Sequence, residues 1–496
     1  MSVIDTEHLV YAIEAADLLT PVGAFMRLSA LATRPDGTRP YRLLLESVEG
    51  GAARGRYSVI AMLPDLVWEC RDGVVSMDRA PGRPESRFDV IEDAPLASLR
   101  CLHQDSRMVL PAGIPPMIAG LFGYLGYDMV RQMEHLPHAP DDDAGLPEGV
   151  LIRPGLFAVF DSVRDELFLA VPLRGDAGEA ARAAAHALIH KAREALVSAP
   201  VVETQDLPAD YVLEEPRSNM SRSVFEEAVR RAQDYIAAGD AFQIVPSQRF
   251  DAAFPLPALA LYRALRRVNP APFLFLIEMD GFSLVGSSPE ILVRLREGVV
   301  TVRPLAGTRP RGATEAEDLR LEAELLADEK ERSEHLMLID LGRNDVGRVA
   351  VLGSVEVPDR FVIERYSHVM HISSTVVGGL RPDCDAVDAL KAAFPAGTLS
   401  GAPKIRAMEI IDELEPTRRG PYAGCIGYFA ADGEMDTCIG LRMAVLRQGR
   451  MYVQAGCGVV AESVPEAEEA ETRQKARALF RAAELAVEQA RSRAGR

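Results

Sequence analysis

The chain has 496 residues, of which 48% are apolar and 26% charged, a composition typical of a globular protein with about two to four domains. Acidic residues outnumber basic residues by 73 to 55, which gives a formal net charge of −18. This charge argues against a protein whose main task is to bind nucleic acid or an anionic membrane. Six scattered cysteines without a C-x-x-C pair, and an acidic N-terminus without a signal-peptide pattern, predict a reduced cytoplasmic protein.

The first part of the chain predicts a β-rich region over residues 1–200. Short apolar runs between turn residues predict strands at Tyr41–Glu46, Tyr57–Ala61, Ile118–Tyr127, Leu156–Phe160 and Glu166–Val171. The alanine-rich run Ala177–Leu196 predicts a helix. Residues 201–220 contain prolines and acidic residues without periodicity, so we expect a linker there.

The second part, residues 221–490, predicts a larger mixed domain. Ser223 followed by Glu226 has the spacing of a capping box, and the helix that it begins should stop at Gly239. Further strands are expected at Ala241–Phe250, Phe273–Glu278, Ile291–Arg294, Val299–Arg303, Val369–Val377, Cys425–Ala430 and Met451–Ala455, and long helices at Glu315–Leu341 and Pro465–Arg491. Strands and helices do not alternate regularly enough for a TIM barrel or a doubly wound sheet, so the predicted class is α+β, a mixed α/β protein.

Two predicted helices carry carboxylates at a spacing that suggests a cation site. Glu331 and Glu334 share a helix face with Leu338, and a face that continues into apolar residues should turn inward. The last helix repeats the arrangement with Glu468 and Glu471. Buried carboxylates need a cation or hydrogen-bond donors, and such a set could hold Mg²⁺. Two ordinary salt-bridged helices remain the alternative from this spacing alone.

Three glycine-containing loops of the second part could bind an anion. They are 303–312, which bears three arginines, 395–404, which leads into a helix, and 454–458, which ends a predicted strand. None matches a Walker A motif or a dinucleotide fingerprint, so a nucleotide site is not expected. His371 lies in a β-rich run and is either a core histidine or a proton-transfer residue.

Taken together and in this order, these segments resemble the chorismate-utilising enzymes, most closely the component I (large) subunits of anthranilate synthases. The segments that carry the resemblance are Leu44–Ser47, Gly55–Ser58, Gly239–Arg249, Gly286–Leu292, Pro304–Gly312, Asp328–Asp345, Tyr366–His371, Pro395–Lys404 and Gly456–Lys475. The resemblance implies a large two-part fold of packed β-sheets with surrounding helices. It covers nearly the whole chain.

The resemblance also implies an active site with Mg²⁺ as cofactor and chorismate as substrate. The implied metal residues are Glu334, Glu471 and Glu468, and the implied substrate-binding residues are Gly307, Thr308, Tyr422, Arg442, Gly456, Cys457 and Gly458. Ammonia would add at C2 of chorismate while the C4 hydroxyl leaves. Glu331 is the expected general acid, His371 lies near the C2 proton, and Thr398 and Lys475 orient the substrate.

Two positions favour anthranilate as the product, formed with pyruvate in the first committed step of tryptophan biosynthesis. Related aminodeoxychorismate synthases commonly have lysine where this chain has Ala306, and isochorismate and salicylate synthases commonly have lysine near the position of Gln243. Component I of aminodeoxychorismate synthase remains the alternative, and a catalytically dead tryptophan-binding relative is a more distant one. The implied partner is a glutamine amidotransferase subunit that supplies ammonia, in a heterotetramer.

A second ligand is implied at the N-terminal region, because tryptophan inhibits anthranilate synthases by feedback. The residues that resemble its site are Ser47, Pro272, Phe273 and Leu274. This chain departs from the common pattern at Phe273, where tyrosine is usual, at Cys457, where alanine is usual, and at Gln474, where asparagine is usual. None of these changes removes a charge needed for catalysis, but the first leaves the strength of inhibition undetermined.

Overall fold

The computed structural model describes residues 3–49, 53–175, 177–201, 207–208, 210–366 and 369–494. The α-helices in this part of the chain are α1 Pro21–Leu28, α2 Pro95–Asp105, α3 Glu179–Val197, α4 Arg222–Ala237, α5 Ala258–Val268, α6 Glu315–Ala327, α7 Glu329–Gly347, α8 Ala386–Ala393, α9 Lys404–Leu414 and α10 Pro465–Ala494. Within the same ranges, no helix is both long enough and apolar enough to cross a membrane.

The strands are short to medium in length, apart from two long ones near the N-terminus, β4 and β8. They are β1 Ile4–Asp5, β2 Leu9–Ala15, β3 Arg42–Glu49, β4 Ala53–Arg71, β5 Val74–Asp78, β6 Asp89–Ile91, β7 Leu121–Leu125, β8 Gly149–Asp161, β9 Glu166–Pro172, β10 Arg217–Ser218, β11 Gln243–Ile244, β12 Ser247–Ala253, β13 Phe273–Glu278, β14 Ser283–Ser288, β15 Ile291–Arg296, β16 Val299–Val302, β17 Leu305–Pro310, β18 Glu356–Arg365, β19 Val369–Gly379, β20 Gly401–Ala402, β21 Cys425–Phe429, β22 Met435–Ile439, β23 Met443–Arg447 and β24 Arg450–Gly456.

One hydrogen-bonded network of 22 strands contains every strand named above except β11 and β20, which pair only with each other. The named pairs are antiparallel, so the sheet is built from hairpins and long returns rather than from parallel crossovers. Helices pack around it. The predicted α+β class is therefore confirmed.

Strands from the two predicted parts of the chain pair directly with each other. β3 pairs with β13, which places Ser47 opposite Phe273, and β7 pairs with β21. Residues 202–206 and 209 of the predicted 201–220 linker lie outside the described residues, while β10 within it pairs with β12. The boundaries of 1–200 and 221–490 stay a prediction, since continuous pairing does not by itself define a domain boundary.

Three large apolar cores hold the sheet and helices together. One lies under α1, α3, α5 and α10, a second under α7 and α8, and a third is formed almost entirely by strand residues such as Phe122, Phe157 and Phe275. Several strands, such as β13, are buried along nearly their whole length, which explains why short apolar runs in the sequence predicted them. The second core is the one that supports α7, which carries Glu331 and Glu334.

Local chemistry changes three of the predicted elements. α4 is capped by Ser221, whose hydroxyl accepts from Val224 N–H at 3.3 Å, so the predicted cap at Ser223 is wrong. The predicted helix Glu315–Leu341 is two helices, because the Asp328 side chain accepts from the backbone N–H groups that begin α7. The predicted strand Ala241–Phe250 is interrupted at Pro246, which has no N–H to donate to a ladder.

Candidate active site

His371 lies on β19, opposite Thr308 of β17. Its Nδ1 atom is 3.0 Å from the carbonyl oxygen of Gly307 and 3.0 Å from Thr308 Oγ1. A carbonyl oxygen only accepts, so Nδ1 carries the proton and donates it, and Nε2 keeps its lone pair. Burial lowers the pKa of His371, so the imidazole is neutral near pH 7 and Nε2 can accept a proton.

At Gly307, the β17 backbone beside His371 lies close to α7. The φ of Gly307 is +64°, a left-handed conformation that glycine adopts without strain. A Cβ built at this position would lie 3.1 Å from Glu331 Oε2. The backbone of β17 therefore passes within van der Waals distance of the Glu331 carboxylate, and the sheet and α7 form one wall of the site.

Glu331 and Glu334 project from the first two turns of α7 and are half-buried, as the shared face with the buried Leu338 predicts. Burial raises the pKa of Glu331, and the neighbouring charge of Glu334 raises it further, while Arg309 opposes both from 3.3 Å. Glu334 Oε1 accepts a hydrogen bond from Gln243 Nε2 at 3.1 Å. Gln243, which the resemblance implies is a discriminating position, thus contacts the predicted metal ligand Glu334.

The predicted carboxylates of α10 lie beside the end of β24. Lys475 Nζ pairs with Glu471 Oε1 at 2.7 Å and donates to the carbonyl oxygen of Gly456 at 2.9 Å. Glu468 is half-buried, and burial raises its pKa, with Glu471 adding to the effect and a hydrogen bond from Ser463 opposing it. Cys457 is fully buried between these groups, and burial raises its pKa well above the ordinary thiol value.

The segment that follows β24 joins the two helices. A Cβ on Gly458 would lie 2.7 Å from Gln243 Nε2 and 3.9 Å from Glu334 Oε1, while Gly456 contacts Lys475. The structure therefore brings Glu334 of α7, the α10 acids and the predicted substrate-binding glycines around one short piece of backbone. Glycine is needed here because a side chain would fill the space between them.

The acid set fits a magnesium ion, although no three His, Cys, Asp or Glu side chains of the described residues already converge as a ligand cluster. The carboxylates form two like-charged pairs, one on each helix, and within each pair the second acid raises the pKa of the first. Mg²⁺ commonly takes one or two protein carboxylates and completes its shell with waters and an anionic ligand. The predicted ligands Glu334, Glu471 and Glu468 stay a prediction.

Arg442 supplies a cation on the same side of the site. It lies in the turn before β23 with a φ of 50°, and burial lowers its pKa against the opposing effects of Tyr422 and Glu471. Within the described residues, no carboxylate lies within 4.0 Å of its guanidinium. The Tyr422 hydroxyl is 3.1 Å from the Cβ position of Gly456. A half-buried guanidinium without an ion-pair partner is suited to an incoming carboxylate.

Thr398 is hydrogen-bonded to a carboxylic acid that was not among the predicted site residues. Its hydroxyl is 3.3 Å from each oxygen of Glu290, which is only 7% exposed. Burial raises the pKa of Glu290 to about 8, so this acid is protonated near neutral pH and can donate a proton. The sequence offered one indication of this acid, because Glu290 directly precedes the apolar pair Ile291 and Leu292. Burial of an unpaired carboxylate is costly, so an acid at the start of a buried strand indicates a specific role.

The residues predicted to bind tryptophan surround a separate cavity of about 400 Å³. Ser47, Phe273 and Leu274 line it, and Pro272 immediately precedes the strand that carries the last two. Asp436 in the wall accepts through Oδ2 from two arginines, at 3.0 and 2.9 Å. Its Oδ1 is buried without a hydrogen-bond partner in the described part of the chain, and an ammonium group would satisfy it.

Comparisons with known proteins agree with this geometry. The profile of a family described as chorismate binding enzyme matches residues 66–481. Anthranilate synthase component 1 of Cereibacter sphaeroides is 53% identical over 480 residues, which are 96% of this chain and 94% of that protein. The protein of the same name from Acinetobacter calcoaceticus is 46% identical over 494 residues, which are 96% of this chain and 95% of that protein.

A solved structure gives the same result. The crystal structure of anthranilate synthase component I from Streptococcus pneumoniae TIGR4 matches with a TM-score of 0.76 at 35% sequence identity, over 94% of this chain and 98% of that one. The family that the sequence motifs predicted is therefore confirmed. The chain belongs to the chorismate-binding enzymes and, within them, to the anthranilate synthase component 1 proteins.

Proposed function

We propose that this chain is the large subunit of an anthranilate synthase, which converts chorismate and ammonia to anthranilate and pyruvate and is inhibited by tryptophan. The observation that carries the proposal is the convergence around the Gly456–Gly458 backbone of Glu334, the α10 acids, Lys475 and Tyr422. Arg442 lies nearby and, within the described residues, has no carboxylate within 4.0 Å. Chorismate has two carboxylates, and this arrangement offers each of them a cationic partner. Mg²⁺ held by Glu334 and Glu471 would bind and polarise the ring carboxylate.

The chain's own groups account for the proton transfers. A carboxylic acid donates a proton to the C4 hydroxyl, which leaves as water while ammonia forms the C2–N bond and loses a proton. His371 Nε2 then takes the C2 proton, the bond from C3 to the enolpyruvyl oxygen breaks, and the electron pair aromatises the ring. The departing enol takes up a proton to become pyruvate. The Nδ1–H bond to the Gly307 carbonyl fixes the tautomer for this step.

Two carboxylic acids compete for the role of proton donor. Glu331 is the donor expected from the family resemblance. It is half-buried, but it pairs with Arg309, and this interaction stabilises its charged form. Glu290 is protonated at neutral pH because burial raises its pKa to about 8, and it is bound to Thr398, a predicted orienting residue. We assign the donor role to Glu290.

The product and the partner subunit are part of the same proposal. No lysine lies at position 306, where the buried Ala306 stands, so the covalent route expected of the alternative, aminodeoxychorismate synthase, has no nucleophile there. A glutamine amidotransferase subunit would supply ammonia in the cell, and excess ammonium salt replaces it in vitro. Tryptophan would bind in the cavity of about 400 Å³, its amino group at Asp436 Oδ1 and its ring among the apolar lining residues.

The decisive experiment uses the purified full chain with chorismate, Mg²⁺ and ammonium sulfate. We expect anthranilate fluorescence and pyruvate to appear in equal amounts, without added glutaminase. Accumulation of aminodeoxychorismate without pyruvate would instead support the alternative. Tryptophan binding without any turnover would identify a regulatory relative.

Replacement of Arg442 by lysine should raise the KM for chorismate by about 10- to 100-fold, since lysine keeps the charge but loses the bidentate hydrogen bonds to a carboxylate. Steady-state kinetics at saturating ammonium measures the effect. Arg447→Lys on the adjoining strand is the matched control and should leave the KM unchanged. An unaltered KM in Arg442→Lys would exclude this residue from carboxylate binding.

Replacement of Phe273 by tyrosine should strengthen inhibition by tryptophan. The added hydroxyl enters a cavity wall that contains Arg294, Arg296 and Asp436, and one net hydrogen bond of about 0.5–1.5 kcal/mol lowers the half-inhibitory concentration by roughly 2- to 10-fold. Inhibition curves for anthranilate formation provide the measurement. The exposed Phe88→Tyr serves as control, and identical curves for wild type and Phe273→Tyr would show that the ring position does not contact the inhibitor.

A further inference from the structure

The segment Pro395–Lys404, here called the 395–404 loop, packs tightly on the C-terminal half of α7. A Cβ on Gly397 would lie only 1.9 Å from Leu341 Cδ2, so the loop backbone rests directly on that side chain. A small cavity of about 40 Å³ lies between the two elements, and its wall also contains Glu290 and Asp345. The 395–404 loop is one of the segments that carry the family resemblance, and apart from Thr398 the proposed function gives its residues no role.

A buried ion pair anchors the far end of the loop. Lys404 Nζ is 2.8 Å from Asp345 Oδ2 of α7 and also donates to the Ala393 carbonyl oxygen, which ends α8, at 3.0 Å. Both side chains are at least 90% buried, and burial lowers the pKa of Lys404 and raises that of Asp345. Such a pair contributes little net stability, since desolvation offsets the attraction, but it defines the relative position of the elements that it joins.

The loop in turn holds groups on both sides of the active site. Thr398 is hydrogen-bonded to Glu290. Ala402 pairs with Gln243 in the small β11–β20 ladder, and Gln243 donates to Glu334. The loop therefore connects the proposed proton donor, Glu290, to the predicted metal ligand Glu334. Glu334 and Asp345 both lie on α7, about 16 Å apart along the helix axis at 1.5 Å per residue.

We propose that Gly397 and Lys404 are positioning residues of the reaction. Through the Gly397–Leu341 contact and the Lys404–Asp345 pair, the 395–404 loop sets the position of Glu290 and Gln243 relative to the acids of α7. The inference rests on the proposed function of the site. It predicts that small displacements of the loop from α7 impair the chemical step more than substrate binding, because misplacement of reacting groups by about 1 Å can cost up to about 100-fold in rate.

The first test displaces the loop and then restores it. Gly397→Ala should lower kcat for anthranilate formation at least about tenfold, with the KM for chorismate within about twofold of wild type, because the new methyl group collides with Leu341. Gly397→Ala/Leu341→Ala removes the colliding atoms, leaving Leu341 Cβ at 4.0 Å from the new methyl group, and should recover most of the lost kcat. Leu341→Ala alone loses the contact without pushing the loop away, so it should lower the thermal midpoint and reduce kcat less than Gly397→Ala does.

The second test removes the ion pair without leaving a buried charge. Lys404→Met/Asp345→Leu should fold and lose kcat at least about tenfold. Arg42→Met/Glu278→Leu replaces a comparably buried pair on β3 and β13 and should change only the thermal midpoint. If Lys404→Met/Asp345→Leu does not fold, the Gly397 and Leu341 variants decide alone.

The outcomes separate this inference from the proposed function. Wild-type enzyme that makes no anthranilate overturns the proposed function, and the inference with it. Active wild type with an unchanged kcat in Gly397→Ala overturns the inference alone. Failure of Leu341→Ala to rescue, or an equal loss of kcat in the Arg42 and Glu278 variant, also overturns it, because the effect is then general destabilisation.

Discussion

Replacement of Glu334 by alanine is expected to abolish Mg²⁺-dependent turnover, with a loss of at least about 10³-fold in kcat/KM. Glu334 lies on α7 within reach of Gln243 and Gly458, where the α7 and α10 acids approach the same backbone. If Glu334 holds Mg²⁺ as proposed, removal of its carboxylate would deprive the ring carboxylate of chorismate of that cation. Stabilisation by a bound metal amounts to several kcal/mol, and each 1.36 kcal/mol corresponds to a factor of ten in rate.

Two measurements check this expectation. Anthranilate formation as a function of Mg²⁺ concentration gives the loss of activity, and calorimetric titration of Mg²⁺ in the presence of chorismate gives the loss of binding. Glu329→Ala, an exposed residue one and a half turns earlier on α7, is the matched control and should behave as wild type in both. Retained Mg²⁺ binding in Glu334→Ala would remove this residue from the metal site.

The strands were predictable where a short apolar run lies between turn residues. Phe273–Glu278 has exactly the predicted ends, since its apolar run is bounded by a proline turn and a loop. The helix pattern at Glu315–Leu341 was misleading, because apolar spacing continues through Asp328 although its side chain caps a new helix there. The spacing of apolar residues shows which face of a helix is buried. A cap depends on one side chain that accepts from two N–H groups, so a new helix can begin without any change in that spacing.

The site was partly predictable for a related reason. The paired spacing of Glu331 with Glu334 can be read from one helix, and the structure places Glu331 against Gly307 and Glu334 near Gly458. The raised pKa of Glu290 depends on its burial in the folded chain, which outweighs the opposing hydrogen bond from Thr398, and no local pattern encodes that environment. The same holds for the contact of Gly397 with Leu341, because it arises only when the loop and α7 are packed together.

Replacement of Glu290 by glutamine should lower kcat by about 10²- to 10⁴-fold, the usual contribution of a general acid. Glutamine keeps the size and the hydrogen bond from Thr398 but has no acidic proton to give to the leaving hydroxyl. The folded-state pKa of about 8 lies above the ordinary glutamate value because of burial, so the acid form is lost as the pH rises through 8. Wild-type kcat should therefore decline above about pH 8, and the residual activity of Glu290→Gln should lack this decline.

The pH profile of kcat separates this assignment from the earlier prediction of Glu331. Glu331→Gln should keep the decline near pH 8, because Glu290 remains to titrate, and the exposed Glu297→Gln should match wild type in rate and profile. If Glu331→Gln instead abolishes both turnover and the alkaline decline while Glu290→Gln retains them, the proton donor is Glu331. In that case burial of Glu290 beside Thr398 serves to position the 395–404 loop, and its proton takes no part in the departure of the C4 hydroxyl.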